Sequence, residues 1–185
     1  AGAAVLFLVK DFRLTALIPV TAAIALLVAP DALTTRMQSI GDMTDPTTRD
    51  RVAMLEAGLA MVRDYPLTGV GPDMVGPLYP TYRTATAVQA TNPHLHNLPM
   101  QIAAERGLPA LVLWLAGIAT ALVTLWHLRH RASVRPLAAT GIGAIAAMFV
   151  AGFFEYNFGD SEFLMLLLVL MTLPFAAARG DTATD

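Results

Sequence analysis

A set of apolar runs, too long for an ordinary soluble core, constrains this chain more than anything else in it. Residues 108–126 (LPALVLWLAGIATALVTLW) and 137–154 (LAATGIGAIAAMFVAGFF) pass without a single charged side chain. About 20 mostly apolar residues are enough to cross a bilayer as a helix. Residues 14–29 and 163–178 are shorter runs whose flanks extend them. A backbone inside lipid must satisfy its own hydrogen bonds, which leaves the helix as the natural form for such segments. Four of them in 185 residues predict an all-α fold, a polytopic transmembrane helical bundle with a long, partly helical loop outside the membrane. Composition agrees: 14% of residues are charged, against roughly 25% in ordinary soluble domains, and the mean hydropathy is +0.58. Residues 1–9 are apolar from the first residue, without the charged region that opens a signal peptide. They read as the end of a truncated spanning helix, so the chain is expected to be the C-terminal part of a larger membrane protein.

Orientation follows from the basic residues of the short loops. Lys10 and Arg13 lie between the first two apolar stretches, Arg129, Arg131 and Arg135 between the next two, and Arg179 after the last. The loop 155–162 (EYNFGDSE) holds three acids and no base. The basic loops are therefore expected in the cytoplasm, and the acidic loop and residues 30–107 outside, on the periplasmic or extracellular side. Three regions result: 1–29, a truncated helix plus one span; 30–107, the outside loop; and 108–185, three spans and a short cytoplasmic tail. Gly141, Gly143, Ala144, Ala147, Ala151 and Gly152 offer small surfaces for close helix packing. A net charge of −2 gives no reason to expect a nucleic-acid partner, and the absence of cysteine excludes disulfides, thiolate zinc sites and cysteine nucleophiles.

Residues 30–107 are too long for a plain connector and carry their own pattern. Thr47 and Thr48 are suited to cap a helix starting near Arg49, and Val52, Leu55, Leu59 and Val62 then recur at helical spacing. Pro66 ends that helix, and Leu67-Thr68-Gly69-Val70-Gly71-Pro72 reads as a turn rather than a phosphate loop. A second helix is expected after His96, with Asn97 as its cap and Pro99 in its first turn. It is broken at Gly107 and Pro109 before the next span begins. His94 and His96 thus precede a helix N-terminus, where the backbone favours a nearby anion. The pair could share a metal, but without cysteine or an HExxH pattern a single catalytic histidine and no metal is the preferred reading. A neutral histidine of this pair beside a bound phosphate is suited to take a proton from an attacking hydroxyl. Among the arginines of the same loop, Arg49, Arg51, Arg63, Arg83 and Arg106, some are suited to hold a pyrophosphate.

The order of these pieces carries a resemblance. Arg51-Val52-Ala53-Met54-Leu55, then Asp64-Tyr65-Pro66-Leu67-Thr68-Gly69-Val70-Gly71-Pro72, then His96-Asn97, resembles the O-antigen ligase/polymerase family of membrane glycosyltransferases. After His-Asn that family has nine residues and then a glycine, and here Leu98–Arg106 lead to Gly107. Glu105-Arg106-Gly107-Leu108-Pro109 resembles the family's ending of this segment, and Phe154-Glu155-Tyr156-Asn157-Phe158-Gly159-Asp160-Ser161 an outside loop of some members. Leu55 stands where the family often has Trp, and Ala110 where a Gly is common. The resemblance implies a GT-C-like enzyme that moves a glycan from an undecaprenyl-pyrophosphate carrier to lipid A–core or a growing polysaccharide, with inversion and without a cofactor. It implies His96 as the catalytic residue, Arg51 and more weakly Arg83 on the pyrophosphate, and His94, Asn97 and Glu105 in support. Its expected partners are the lipid-linked donor, a lipid or glycan acceptor, and membrane lipids. The competing readings are a transporter or flippase, which should place ionisable residues within spans, and a non-catalytic subunit of a polysaccharide export system.

Overall fold

In a computed structural model of the protein, Ile24 and residues 44–181 are described. Among them the chain is helical, without strands: α1 (Pro46–Asp64), α2 (Val75–Tyr82), α3 (Leu98–Leu128), α4 (Arg135–Gly152) and α5 (Ser161–Asp181), with a 3-10 turn at Asn157–Gly159. The helix expected at residues 1–9 and, Ile24 apart, the span expected at 14–29 lie outside the described residues.

Among the described residues three helices are long and apolar enough to cross a membrane: α3, α4 and Ser161–Gly180 of α5. At about 1.5 Å per residue, the 18 residues of α4 measure about 27 Å, close to the ~30 Å of a bilayer's hydrocarbon core. Within the most apolar stretches of α3 and α5 only 6% and 17% of residues are buried. Val112, Leu113, Val123 and Val169 stand open on these helices. An apolar surface of this extent does not suit water; it suits lipid, and the protein is a membrane protein.

The described chain divides into two compact units, residues 114–151 with 157–181, and residues 44–113 with 152–156. In the first, helices meet through small residues. A Cβ on Gly141 would stand 3.0 Å from the Leu170 carbonyl and 3.1 Å from a Leu125 methyl. Ala138, Gly141, Ile142, Ile145 and Met148 form the buried face of α4. The expected small-residue stripe is therefore corrected in part. Ala147 and Ala151 are exposed, because the helical period carries them to the side opposite 138, 142 and 145. Thr120, Thr124, Thr140 and Thr172 each return a hydroxyl to the carbonyl four residues back, at 2.7–3.0 Å, which satisfies them without water. The Arg129 guanidinium lies 3.6 Å from the Trp126 ring, a cation–π pair of the kind found at membrane interfaces. Asp160 caps α5, accepting from the Glu162 and Phe163 amides at 3.2 and 3.4 Å.

The second unit is built on α1. Its cap is Asp45, not Thr47 or Thr48: the Asp45 carboxylate accepts from both threonine amides at 2.8 and 3.2 Å, and Pro46 takes the first helical position. A carboxylate is well suited to a helix N-terminus and proline lacks the N–H that would be orphaned there. The buried stripe is Asp50, Ala53, Met54, Ala57, Gly58 and Met61, not the expected Val52, Leu55, Leu59 and Val62: Leu59 is exposed, Val52 and Leu55 are half-buried, and Val62 packs against the edge of the core. The reason is steric. The Leu95 and Met100 side chains come within 2.7 Å of where a Gly58 Cβ would stand, so only the small face of α1 admits them. Met54, Ala57, Met61, Val75, Tyr79, Leu95 and Ala104 make the core of this unit, to which α2, absent from the sequence reading, contributes Val75 and Tyr79.

A break at Gly107 organises the rest. Gly107 has φ 80° and ψ 170° inside α3, which frees the carbonyls of the preceding turn. The turn after α1 supplies the missing donors: Val70 N–H to Ala104 O at 2.8 Å and Gly71 N–H to Glu105 O at 3.0 Å, while Leu108 N–H donates to Pro66 O at 2.8 Å. Backbone lies on backbone here. A Cβ on Gly69 (φ 66°) would overlap the Glu105 main chain, and one on Gly107 would overlap Leu67.

Candidate active site

Four polar side chains set the geometry of the loop between α2 and α3. Asp50, on the buried face of α1, accepts from the Val88 and Gln89 amides at 3.1 and 3.0 Å and from Asn92 Nδ2 at 3.4 Å. A carboxylate this deep needs such partners, and together they hold residues 88–92 beside α1. Gln101 takes the Leu95 amide at 2.8 Å and passes its own Nε2–H to Glu105 Oε1 at 2.8 Å. Glu105, 1% exposed, also accepts from the Asp73 amide at 3.2 Å and pairs with Arg106 at 2.9 Å. Asn97 caps α3 as expected, its Oδ1 accepting from the Met100 amide at 3.0 Å, and its Nδ2 donates to Phe153 O at 3.3 Å.

This framework leaves a cleft of about 390 Å³ lined by Pro46, Thr47, Asp50, Arg51, Met54, Val88, Gln89, Thr91, Asn92 and His96. Arg51 and His96 thus share one cavity, although 45 positions separate them in the sequence (96 − 51). The Arg51 guanidinium lies 5.9 Å from the Phe154 ring. Leu95 is buried, and the histidines either side of it turn the same way, ring centroids 4.3 Å apart. His96 has φ 48°, a left-handed conformation uncommon for a residue with a Cβ.

Both rings meet Glu155. Its Oε1 lies 3.0 Å from His96 Nδ1 and 3.3 Å from His94 Nε2. Burial, and then His96 beside it, pushes the His94 imidazole below its ordinary pKa, against the pull of Glu155. Burial also raises the Glu155 carboxyl, but the Tyr156 amide and the two histidines outweigh it, and the group ends below its usual range. Glu155 is therefore an anion between two imidazoles. The three donor atoms, with no pair farther apart than 4.8 Å, also have the composition of a cation site.

Of the residues singled out in the sequence, His96, His94 and Arg51 come together around the cleft and its rim. Asn97 and Glu105 stand behind it as hydrogen-bonding supports. Arg83 does not join them: it is exposed at the end of α2, outside the residues that line the cleft, its amide bonded to Tyr79 O at 2.8 Å. The sequence reading missed Asp50, Gln101 and Glu155. Asp50 had a signal, since it falls in register with Ala53, Met54, Ala57 and Met61, and a carboxylate on a buried face must be answered from elsewhere. Glu155 stands in the acidic outside loop, but only the fold brings it to the histidines.

A family model described as O-antigen ligase matches residues 1–115, more than half of the chain. The matched stretch contains Arg51, Arg83, His94, His96, Asn97 and Glu105; Glu155 lies beyond it. No curated protein and no solved structure matches the chain.

Proposed function

Because the chain belongs to the O-antigen ligase family, a membrane family of glycan transfer in polysaccharide biosynthesis, we propose that it moves a glycan from an undecaprenyl-pyrophosphate carrier to lipid A–core or a growing polysaccharide at the periplasmic face of the inner membrane. The observation that carries this reading is the meeting of Arg51 and His96 in one cleft. An acceptor hydroxyl attacks the anomeric carbon from the face opposite the pyrophosphate. Its proton passes to His96, the new C–O bond forms with inversion, and the bond to the pyrophosphate oxygen breaks. Arg51 holds the departing pyrophosphate through the planar fork of its guanidinium. No step needs a metal. The contact of Glu155 with His94 and His96 brings the acidic loop to the histidine loop, in keeping with the side assigned to both by their charges. Within residues 108–126, 137–152 and 163–178 there is no charged side chain, which favours an enzyme over a transporter.

Deleting the gene and analysing surface glycans tests this function. Loss of the glycan ladder from lipid A–core, with lipid-linked glycan accumulating, identifies a ligase. Single-repeat glycans identify a polymerase, and unchanged surface glycans reject the function. Restoring the gene as Arg51→Lys, which keeps the charge and loses the fork, is expected to leave transfer impaired. Full transfer by that variant removes Arg51 from the pyrophosphate.

A further inference from the structure

The carboxylate at the rim of the cleft has a place in this chemistry that the family match does not reach. We propose that Glu155 is a positioning residue for the His96 base, its carboxylate selecting the imidazole tautomer in which Nδ1 carries the proton and Nε2 is free to accept one. The inference rests on the reading of His96 as the base.

A neutral imidazole has one N–H, and the stronger acceptor beside the ring decides which nitrogen bears it. For His96 that acceptor is Glu155 Oε1, 3.0 Å from Nδ1. Once His96 has taken the acceptor's proton, the same carboxylate faces the imidazolium and offsets its charge. His94 presents its other nitrogen, Nε2, to the same oxygen at 3.3 Å. Burial and the neighbouring ring lower the His94 pKa, which disfavours its charged form.

Both ends of the contact are held. Glu155 Oε1 also accepts the Tyr156 amide at 3.0 Å. Asn97, next to His96 in the chain, reaches across to the Phe153 carbonyl, so one side chain ties the histidine segment to the segment that carries Glu155. On the other flank Leu95 is buried and its amide is taken by Gln101. Anchored on both sides, His96 keeps its left-handed backbone (φ 48°). Strain of this kind, of order 1–3 kcal/mol, persists where its surroundings over-determine it and gathers at functional sites.

The test is the rate of consumption of undecaprenyl-pyrophosphate-linked glycan in membranes whose only copy of the full-length protein is wild type, Glu155→Gln, Glu155→Asp, His96→Ala or His96→Ala with Glu155→Gln. Glu155→Gln is expected to lower kcat by about 10- to 100-fold, less than loss of the base itself, with KM for the donor unchanged. Glu155→Asp, which keeps the anion, should regain part of that loss, and Glu155→Gln should cost nothing further once His96 is alanine. Wild-type kcat in Glu155→Gln overturns the proposal. So does a raised KM at unchanged kcat, which would make Glu155 a binding group, or activity abolished by EDTA and restored by zinc, which would make the three side chains a metal site. Wild-type transfer by His96→Ala sinks the base assignment as a whole, whereas a fully active Glu155→Gln beside an inactive His96→Ala sinks only the role of Glu155.

Discussion

The two units of this protein are held by different forces. In the unit of residues 114–151 and 157–181, helices meet at small residues such as Gly141, hydroxyls fold back on their own helix, and large apolar side chains are left open. That surface is stable only in lipid, where hydrophobic attraction between helices gives way to close packing. In the unit of residues 44–113 and 152–156 the anchors are polar and buried: Asp50, Gln101, Glu105 and Asn92. Asp50 accepts from Val88, Gln89 and Asn92 far along the chain, Glu105 accepts from Asp73 and Gln101, and Gln101 takes the Leu95 amide. The first unit tolerates change wherever helices do not touch, whereas the second depends on individual bonds that nothing else replaces.

The largest break in this contrast is expected at Gly107→Val. It combines a positive φ with a Cβ that would overlap Leu67. The cost should exceed about 3 kcal/mol, seen as loss of transfer and rapid proteolysis between residues 66 and 108 of the full-length protein in membranes. Asp50→Ala comes next. It strips the acceptor from the part-buried Val88 and Gln89 amides and from the buried Asn92, at about 1–3 kcal/mol for bonds to a charged group. The expected readout is a higher KM for the lipid-linked donor, because one wall of the cleft loosens, with the spans still inserted. The smallest effect belongs to Gly117→Ala in the span of α3, where nothing lies within 4 Å of the new Cβ. Its unfolding free energy in detergent should stay within about 1 kcal/mol of wild type, the size of the helix-propensity difference between glycine and alanine. A large loss there would show that the open face of α3 is packed against protein rather than lipid.

The same contrast explains how much the sequence disclosed. The three described spans were legible because a run of apolar residues has one meaning in lipid and needs no partner to be read. Asn97 as a cap and the break at Gly107 were legible for the same reason, being local backbone chemistry. The face of α1 was misread because Leu55 and Leu59 look like core, while Ala57 and Gly58 bury for want of size, a choice that Leu95 and Met100 make from outside the helix. The cap of α1 was misplaced because three oxygen-bearing side chains stand in a row at Asp45, Thr47 and Thr48, and Pro46 decides among them. The short α2, with prolines at Pro77 and Pro80, has no periodic run to announce it. The glycines of residues 67–72 were read as a turn, and their second role, laying backbone on the carbonyls of Ala104 and Glu105, depends on a helix break more than thirty residues later in the chain. For the site, His96 and Arg51 were visible through their motifs, while Asp50 and Glu155 are defined by contacts between segments that the sequence keeps far apart.

At the centre of this account stands one proton transfer in one cleft. It is tested most directly by the single-turnover rate of glycan transfer by His96→Ala in the full-length protein, measured together with donor binding. The account predicts a rate lower by about 10²–10⁴-fold, with donor binding and membrane insertion preserved. Transfer at the wild-type rate would contradict it.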